Sequence, residues 1–299
     1  MDDQTAQREL VTRKTTSLRE LPDPPTLSDQ PAFMSVGVQA MDIILTLGKV
    51  AVRAPRPNGR GYTRRHAPLV GLAVRLVKLY EGYLSQLVEH RRELAIVFQR
   101  PFYESHIKLQ YLIRTGRASA RSFLHTSFRP EKEILTYLNG IKRKRRLIPI
   151  ENRIRNSIIR NIRRVGLSQR ALLSTRQWEL DGKNMRTMLE FLNKDLHYSF
   201  VFGISSHATH GSWYDLWLHH LHHDEKGYHP DVTYGSPDPK YIGPISVMLC
   251  EGMSDYLRYF HLDSDRSIRA ALKLAEEYVR RLDYEWERRA ISEASVATA

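Results

Sequence analysis

The strongest constraint on the fold is a run of apolar side chains at helical spacing that follows Ala67. Its members recur every three or four residues, at Leu69, Leu72, Ala73, Leu76, Tyr80, Tyr83, Leu84 and Leu87. A period near 3.6 places them on one face of a helix, so the segment predicts a long helix with one buried face. We expect this helix to kink or restart at Pro101 and to end near Gly116.

Similar helical patterns recur along most of the chain, whereas no segment shows the period of two that predicts a strand. Further helices are expected over residues 31–53, 118–147 with a bend near Pro130, 151–165, 169–177, 184–193, 242–261 and 265–290. Residues 219–240 are rich first in His and then in Gly and Pro, which predicts a long surface loop. The sequence therefore predicts an all-α fold, a multi-helix bundle with long amphipathic helices and a long His-rich loop.

The domain organisation follows from where apolar patterning begins and ends. Residues 1–30 are polar and carry Pro22, Pro24 and Pro25, so we expect a flexible N-terminal arm. With 41% hydrophobic residues in 299, the chain can bury a full core. Residues 31–290 are expected to form one helical domain, and residues 291–299 a disordered tail.

Cysteine content and apolar segments indicate the compartment. The single cysteine, Cys250, lies among apolar residues, which excludes a disulfide within the chain and predicts a buried side chain. The polar N-terminus lacks the apolar run of a signal peptide. Residues 33–52 are apolar but are interrupted by Gln39, Asp42 and Lys49, so they predict a core helix rather than a membrane span. A soluble cytoplasmic protein is expected, without membrane contact.

Positive charge is concentrated in one part of the chain. The net charge is +13, and residues 201–250 contain no arginine. The densest basic cluster comprises Lys142, Arg143, Lys144, Arg145, Arg146, Arg160, Arg163 and Arg164. Such a cluster attracts phosphate-bearing partners, and these eight residues are the predicted nucleic-acid contacts. The alternative is a solvated helix face, because no aromatic side chains interleave with the cluster to stack bases.

Three segments resemble a known family. Residues 100–112 (RPFYESHIKLQYL), 178–188 (WELDGKNMRTM) and 198–213 (YSFVFGISSHATHGSW) are similar to motifs of the bacterial domain-of-unknown-function family 5677. The resemblance covers about residues 67–260 and implies a helical fold, but the family brings no established activity. On this match the family positions are Arg100, Glu104, Trp178, Tyr198, Ser206 and His210.

Helical spacing gives four of these residues a physical interpretation. Arg100 and Glu104 are one helical turn apart, and so are Ser206 and His210. If the two pairs meet, they form a buried polar centre in which Glu104 could raise the pKa of His210 for acid–base catalysis. The alternative is a structural network that fixes helix register. A Ser-His hydrolase is a weaker alternative, because Ser206 lacks a Gly-x-Ser-x-Gly motif.

Histidines are crowded between residues 207 and 229, with Asp215, Asp224 and Asp231 nearby. Imidazole and carboxylate together suit zinc, iron or nickel. His219 and His223 are four residues apart and are the candidate metal ligands. The segment lacks His-Glu-x-x-His, so no cofactor is expected and a divalent metal is the alternative.

A ribonuclease of the all-α HEPN type is a further possibility, since that family has Arg followed four to six residues later by His. Arg100 with His106 and Arg60 with His66 fit this spacing. Chance produces such pairs readily in a chain so rich in arginine. The sequence thus predicts a helical protein whose polar centre binds or acts on RNA or another phosphate-bearing partner. The alternative is a non-enzymatic helical interaction module.

Overall fold

The computed structural model describes residues 3–56, 61–176, 178–194, 202–262 and 266–297. Helices dominate these residues, and the predicted all-α fold is confirmed. The helices are α1 (Asp3–Arg19), α2 (Gln30–Arg53), α3 (Ala67–Val88), α4 (Arg92–Thr115), α5 (Arg117–Thr126), α6 (Arg129–Lys144), α7 (Pro149–Arg164), α8 (Gln169–Ser174), α9 (Met185–Phe191), α10 (Ile204–His210), α11 (Trp213–His219), α12 (Gly243–Phe260) and α13 (Ser267–Ala297). Strands β1 (Leu221–Asp224) and β2 (Gly227–Pro230) form one antiparallel hairpin.

Helix α12 lies at the centre of the main core and packs against α2, α3, α4 and α13. Leu249, Cys250, Met253 and Tyr256 on this helix are all 0% exposed. Burial also raises the pKa of the Cys250 thiol, so the side chain is a small protonated hydrophobe. The expectation of a buried cysteine is therefore met.

Tyrosine hydroxyls inside the core have partners. The Tyr80 hydroxyl lies 2.8 Å from Ser246 Oγ, and both residues are fully buried. The Tyr83 hydroxyl donates to the carbonyl oxygen of Tyr241 at 2.7 Å. Because a buried hydroxyl without a partner is costly, these bonds fix how α3 meets the start of α12.

Among the described residues, α2 is the one helix long and apolar enough to span a membrane by length and composition. Its apolar face is part of the main core, with Phe33, Ala40, Ile44 and Leu47 at 0% exposure. Most of the apolar segment is buried inside the fold, as in the core helix of a soluble protein.

Helices α6, α7 and α8 have a small core of their own. It comprises Leu135, Ile158, Ile162, Leu167 and Leu172, and we call it the second core. Ile162 and Leu172 are 0% exposed, whereas Ile154, one turn before Ile158, is 39% exposed. The apolar face of α7 therefore packs against α6 and α8 and leaves the arginine-bearing face of α7 to solvent.

Helix boundaries differ from the sequence prediction in two places. The break between α3 and α4 falls at residues 89–91, where His90 has a φ of 55°, and Pro101 lies inside α4. Pro130 occupies the first turn of α6, a position that requires no N–H partner, so residues 118–147 form two helices rather than one bent helix.

The termini and the His-rich loop are also more regular than expected. The segment predicted as a flexible arm contains α1, whose Val11 and Leu18 are 4% and 2% exposed and pack in the main core. The segment predicted as a disordered tail continues α13 to Ala297. The predicted loop contains the β1–β2 hairpin, whose strands are mostly exposed and therefore show no alternating apolar pattern.

Candidate functional site

The polar centre, defined as Arg100, Glu104, Ser206 and His210, is assembled between α4 and α10. Arg100 Nε donates to Glu104 Oε1 at 3.3 Å along α4. Arg100 Nη1 donates to Ser206 Oγ on α10 at 2.6 Å. Three of the four predicted residues therefore meet, although Arg100 and Ser206 are 106 positions apart in the sequence. Their bonds hold α10 against α4.

The centre is partly open to solvent. The side chains of Arg100 and Glu104 are 25% and 33% exposed. Lys108 also donates to Glu104, at 3.3 Å, so the carboxylate is shared between two cations. Water screens such pairs, and each contributes at most ~1 kcal/mol. The guanidinium of Arg100 also lies 6.0 Å from the ring centroid of Phe202, which covers it on one side.

His210 lies at the last residue of α10 and is exposed. Among the residues that the structure describes, it forms no hydrogen bond or ion pair with Arg100, Glu104 or Ser206. Within the described residues, Ser206 therefore has no hydrogen bond to the histidine that an acyl-transfer mechanism would use as its general base. Tyr198, the remaining residue of that motif, lies outside the described residues.

A different serine and histidine are hydrogen-bonded nearby. His207 Nδ1 lies 2.7 Å from Ser212 Oγ, and the ring of Tyr214 packs at 5.1 Å from the His207 ring. Ser212 Oγ also accepts from the backbone N–H of Asp215 at 3.4 Å and caps α11. This pair therefore stabilises the turn between α10 and α11, where Gly211 adopts a φ of 57°.

The other predicted residues have separate surroundings. Trp178 packs under the ammonium of Lys132, which lies 4.8 Å from its ring, and thus belongs to the α6 side of the molecule. His106, the partner of Arg100 in the ribonuclease pattern, is 0% exposed and lies 3.8 Å from Glu251. Arg60 of the second such pair lies outside the described residues.

The two candidate metal ligands also lie in different environments. His223 on β1 stacks on Tyr228 with ring centroids 4.5 Å apart, whereas His219 ends α11 beside Arg92. Within the described ranges, no group of three or more His, Cys, Asp and Glu side chains is placed to hold a metal ion.

A buried polar cluster that the sequence did not predict surrounds His219. Glu93 is 8% exposed and accepts hydrogen bonds from Arg92 and from the backbone N–H of Gly235, all at 3.1 Å. Arg92 also lies 3.1 Å from His219 Nδ1. Because a guanidinium only donates, Nδ1 accepts this bond and the imidazole is neutral in this arrangement. The cluster fastens the loop after β2 to the start of α4.

Electrostatics agree with a neutral imidazole. Burial, followed by the positive charge of Arg92, lowers the pKa of His219 below its ordinary value, while the carboxylates of Glu93 and Asp215 oppose this shift. Helical periodicity gave no signal for the cluster, because Arg92, Glu93 and His219 lie at element ends. The sequence feature that could have indicated the cluster is the adjacent pair of opposite charges, Arg92 and Glu93, at the start of α4.

The eight predicted nucleic-acid contacts form what we call the basic surface. Lys142, Arg143 and Lys144 end α6, Arg145 and Arg146 precede α7, and Arg160, Arg163 and Arg164 lie in its last turns. All eight are exposed.

Only one member of the basic surface is neutralised within the part of the chain that the structure describes. Arg145 binds Glu151 through two hydrogen bonds of 2.7 and 2.9 Å, and these lower the pKa of Glu151. The remaining seven have no carboxylate partner among the described residues.

Comparison with known proteins places these features within one family. A family model described as "Family of unknown function (DUF5677)" matches residues 66–228, which is more than half of the chain. The match begins one residue before the expected resemblance and ends before α12. It includes Arg100, Glu104, Ser206, His210 and the basic surface. No curated protein and no solved structure matches the chain.

Proposed function

The chain belongs to the DUF5677 family of unknown function, and we propose that it binds RNA through its basic surface. One observation carries the proposal: all eight cations of this surface are exposed, and seven lack a carboxylate partner within the described ranges. Unneutralised cations bind phosphate groups and release counterions, which supplies most of the free energy of non-specific nucleic-acid binding.

The spacing of the charges favours an extended polyanion over a single phosphate group. Arg145 and Arg146 precede α7, and Arg160 follows on its fourth turn. A helix rises 1.5 Å per residue, so the two ends of the basic surface are roughly 20 Å apart. One phosphate cannot contact both ends, whereas a nucleic-acid backbone several nucleotides long can.

Binding is a better interpretation of the geometry than cleavage. Ser206 is hydrogen-bonded to Arg100, and His210 is exposed away from it within the described residues. In this proposal the polar centre positions α10, and the basic surface makes the contacts. The protein is expected to act without altering the RNA, in keeping with a bacterial cytoplasmic binding protein.

The test measures the affinity of the full chain for a fluorescent single-stranded RNA of mixed sequence by anisotropy. Arg163→Gln with Arg164→Gln removes two charges from the basic surface. A matched control, Arg13→Gln with Arg19→Gln, removes two exposed arginines of α1. We expect the first variant to bind at least about tenfold more weakly and the control to bind like the wild type. Equal weakening in both variants would show that only net charge matters and would contradict the assignment.

A second candidate function, a protein-interaction module, is favoured by exposed aromatic side chains on α11 and the hairpin. Trp213, Tyr214, Trp217 and Tyr228 are 62%, 55%, 46% and 54% exposed. Exposed aromatic clusters are typical of protein interfaces. This candidate predicts that Trp213→Ala with Trp217→Ala removes a co-purifying protein, while RNA affinity stays unchanged.

A further inference from the structure

A second concentration of positive charge surrounds a cleft between α5, the turn before α3 and the end of α7. The cleft has a volume of about 610 Å³. Its polar lining comprises Arg64, Arg65, Arg117, Arg121 and His125, and its floor includes Gly166. Among the described residues, no Asp or Glu lines it. We call it the arginine cleft; none of its five basic residues belongs to the basic surface.

Helix α5 supplies three of the five groups from a single face. Arg117, Arg121 and His125 are spaced four residues apart, so they lie one above another along the helix. The helix contains no acidic residue. Like charges at this spacing oppose helix formation, and no acidic residue within α5 offsets them. An anion that binds between the cations would reduce this repulsion.

Arg64 reaches the cleft from the other side, and its position depends on Gly166. The guanidinium of Arg64 occupies the space that a Cβ on Gly166 would fill. Gly166 also adopts a φ of 67°, in the left-handed region that favours glycine after a helix. Gly166, two residues after the end of α7, therefore leaves space for a guanidinium that faces the arginines of α5.

The arginines of the cleft are available to a ligand. In the part of the chain that the structure describes, Arg64, Arg65, Arg117 and Arg121 form no ion pair with a carboxylate. The positive charge also affects the neighbouring His66. Burial is the largest cause that lowers its pKa, and the charges of Arg56, Arg117 and Arg65 lower it further. The positive charges of these arginines therefore favour an anion in this region.

We propose that the arginine cleft binds a phosphoryl group carrying two or more negative charges, such as a phosphate monoester or a diphosphate. Guanidinium groups donate two parallel hydrogen bonds to phosphate oxygens, and four of them around one cavity can surround such a group. A phosphodiester inside an RNA strand carries one charge and is less suited to this site. The cleft is a site distinct from the proposed RNA-binding surface and does not depend on it.

Two sources supply this chemistry: a free phosphate compound and the terminal phosphate of a nucleic acid. Gly166 and Leu167, which line the cleft, lie two and three residues after Arg164, so a strand bound along α7 would direct its end towards the cleft. If the terminal phosphate is the ligand, the cleft adds end recognition to the proposed RNA binding. The two sources are separated by the experiment.

The experiment titrates the full chain with inorganic pyrophosphate by calorimetry, and sodium chloride keeps the ionic strength of the solution constant. The cleft variant is Arg117→Gln with Arg121→Gln, and Arg64→Gln tests the opposite wall. The matched control is again Arg13→Gln with Arg19→Gln. We expect saturable binding to the wild type, at least about tenfold weaker binding to each cleft variant, and wild-type binding to the control. The double variant should melt no lower than the wild type, since a like-charge repulsion is removed.

Lack of saturable pyrophosphate binding to the wild type, or equal weakening in the control, would overturn the proposal. A second arm compares two RNAs that differ only in a 5′-phosphate or a 5′-hydroxyl. A preference for the 5′-phosphate that the cleft variant loses identifies the terminal phosphate as the source. Pyrophosphate binding without that preference identifies a free phosphate compound. Failure of the RNA proposal is distinguishable, because it abolishes binding of the 5′-hydroxyl RNA and leaves pyrophosphate binding intact.

Discussion

Replacing Ile162 with alanine is expected to unfold the helices that present the basic surface while the main core stays folded. Ile162 is 0% exposed and packs in the second core, which has only five members. Truncating a fully buried isoleucine to alanine costs about 2–5 kcal/mol. A core this small adds little free energy beyond that loss, so local opening of α6–α8 becomes highly populated.

Ile154→Ala is the matched control on the same helix. Its side chain is 39% exposed, and α7 carries both positions, so the substitution is the same and only the burial differs. The control is expected to lower the free energy of unfolding by less than about 1 kcal/mol, because the exposed methyl groups already contact water.

Hydrogen exchange followed by mass spectrometry measures both effects in separate peptides. In Ile162→Ala the peptides of α6–α8 should lose protection while those of α12 keep it, and RNA affinity should fall with the lost protection. Equal loss of protection in α12 would show that the second core is not an independent unit. Unchanged exchange in α6–α8 would refute the packing argument itself.

Three further outcomes are expected. Arg100→Gln and Ser206→Ala should each lower the free energy of unfolding in urea by about 1 kcal/mol or less, because the pair is partly exposed, and should leave RNA affinity unchanged. A folded Arg100→Gln protein that loses an RNA-cleaving activity would contradict this. Since the pKa of His219 is lowered in the folded state, its contribution to stability should be complete above pH ~6.5 and should be lost as the pH falls below that value. His219→Gln should flatten this part of a plot of melting temperature against pH, and an unaltered plot would contradict the buried neutral imidazole. Ser246→Ala should lower the free energy of unfolding by about 1–3 kcal/mol in thermal unfolding, because it leaves the buried hydroxyl of Tyr80 without a partner; Tyr80→Phe should lower it less, because the Ser246 hydroxyl can bond to its own helix. A larger loss for Tyr80→Phe than for Ser246→Ala would contradict this reasoning.

Helical periodicity predicted most long helices because each has one buried face. The ends of α2 and α7 follow their apolar stripes closely. The break after α3 could not be predicted, because His90 adopts a left-handed conformation that its side chain does not favour. Pro101 is accommodated within α4, where Ser105 donates to its carbonyl oxygen at 2.7 Å. Neither feature follows from the spacing of apolar residues.

The candidate site was predictable in part, because helical spacing indicates which side chains share a face of a helix. The family resemblance and the spacing of Arg100 and Glu104 indicated Ser206 as a partner, and these three residues meet. Spacing alone also placed His210 beside Ser206, but α10 ends at that residue and leaves it exposed. The arginine cleft was missed because its residues are spread over three segments, each of which looks like an ordinary solvated stretch.

The central claim is that phosphate contacts at the basic surface bind RNA, and the salt dependence of affinity tests it most directly. Each phosphate neutralised on a single strand contributes about −0.7 to the slope of log K against log salt. We predict a steep slope for the wild type, a slope smaller by about 1.4 for Arg163→Gln with Arg164→Gln, and the wild-type slope for Arg13→Gln with Arg19→Gln. Affinity that does not change with salt, or one slope shared by all three proteins, would contradict the account.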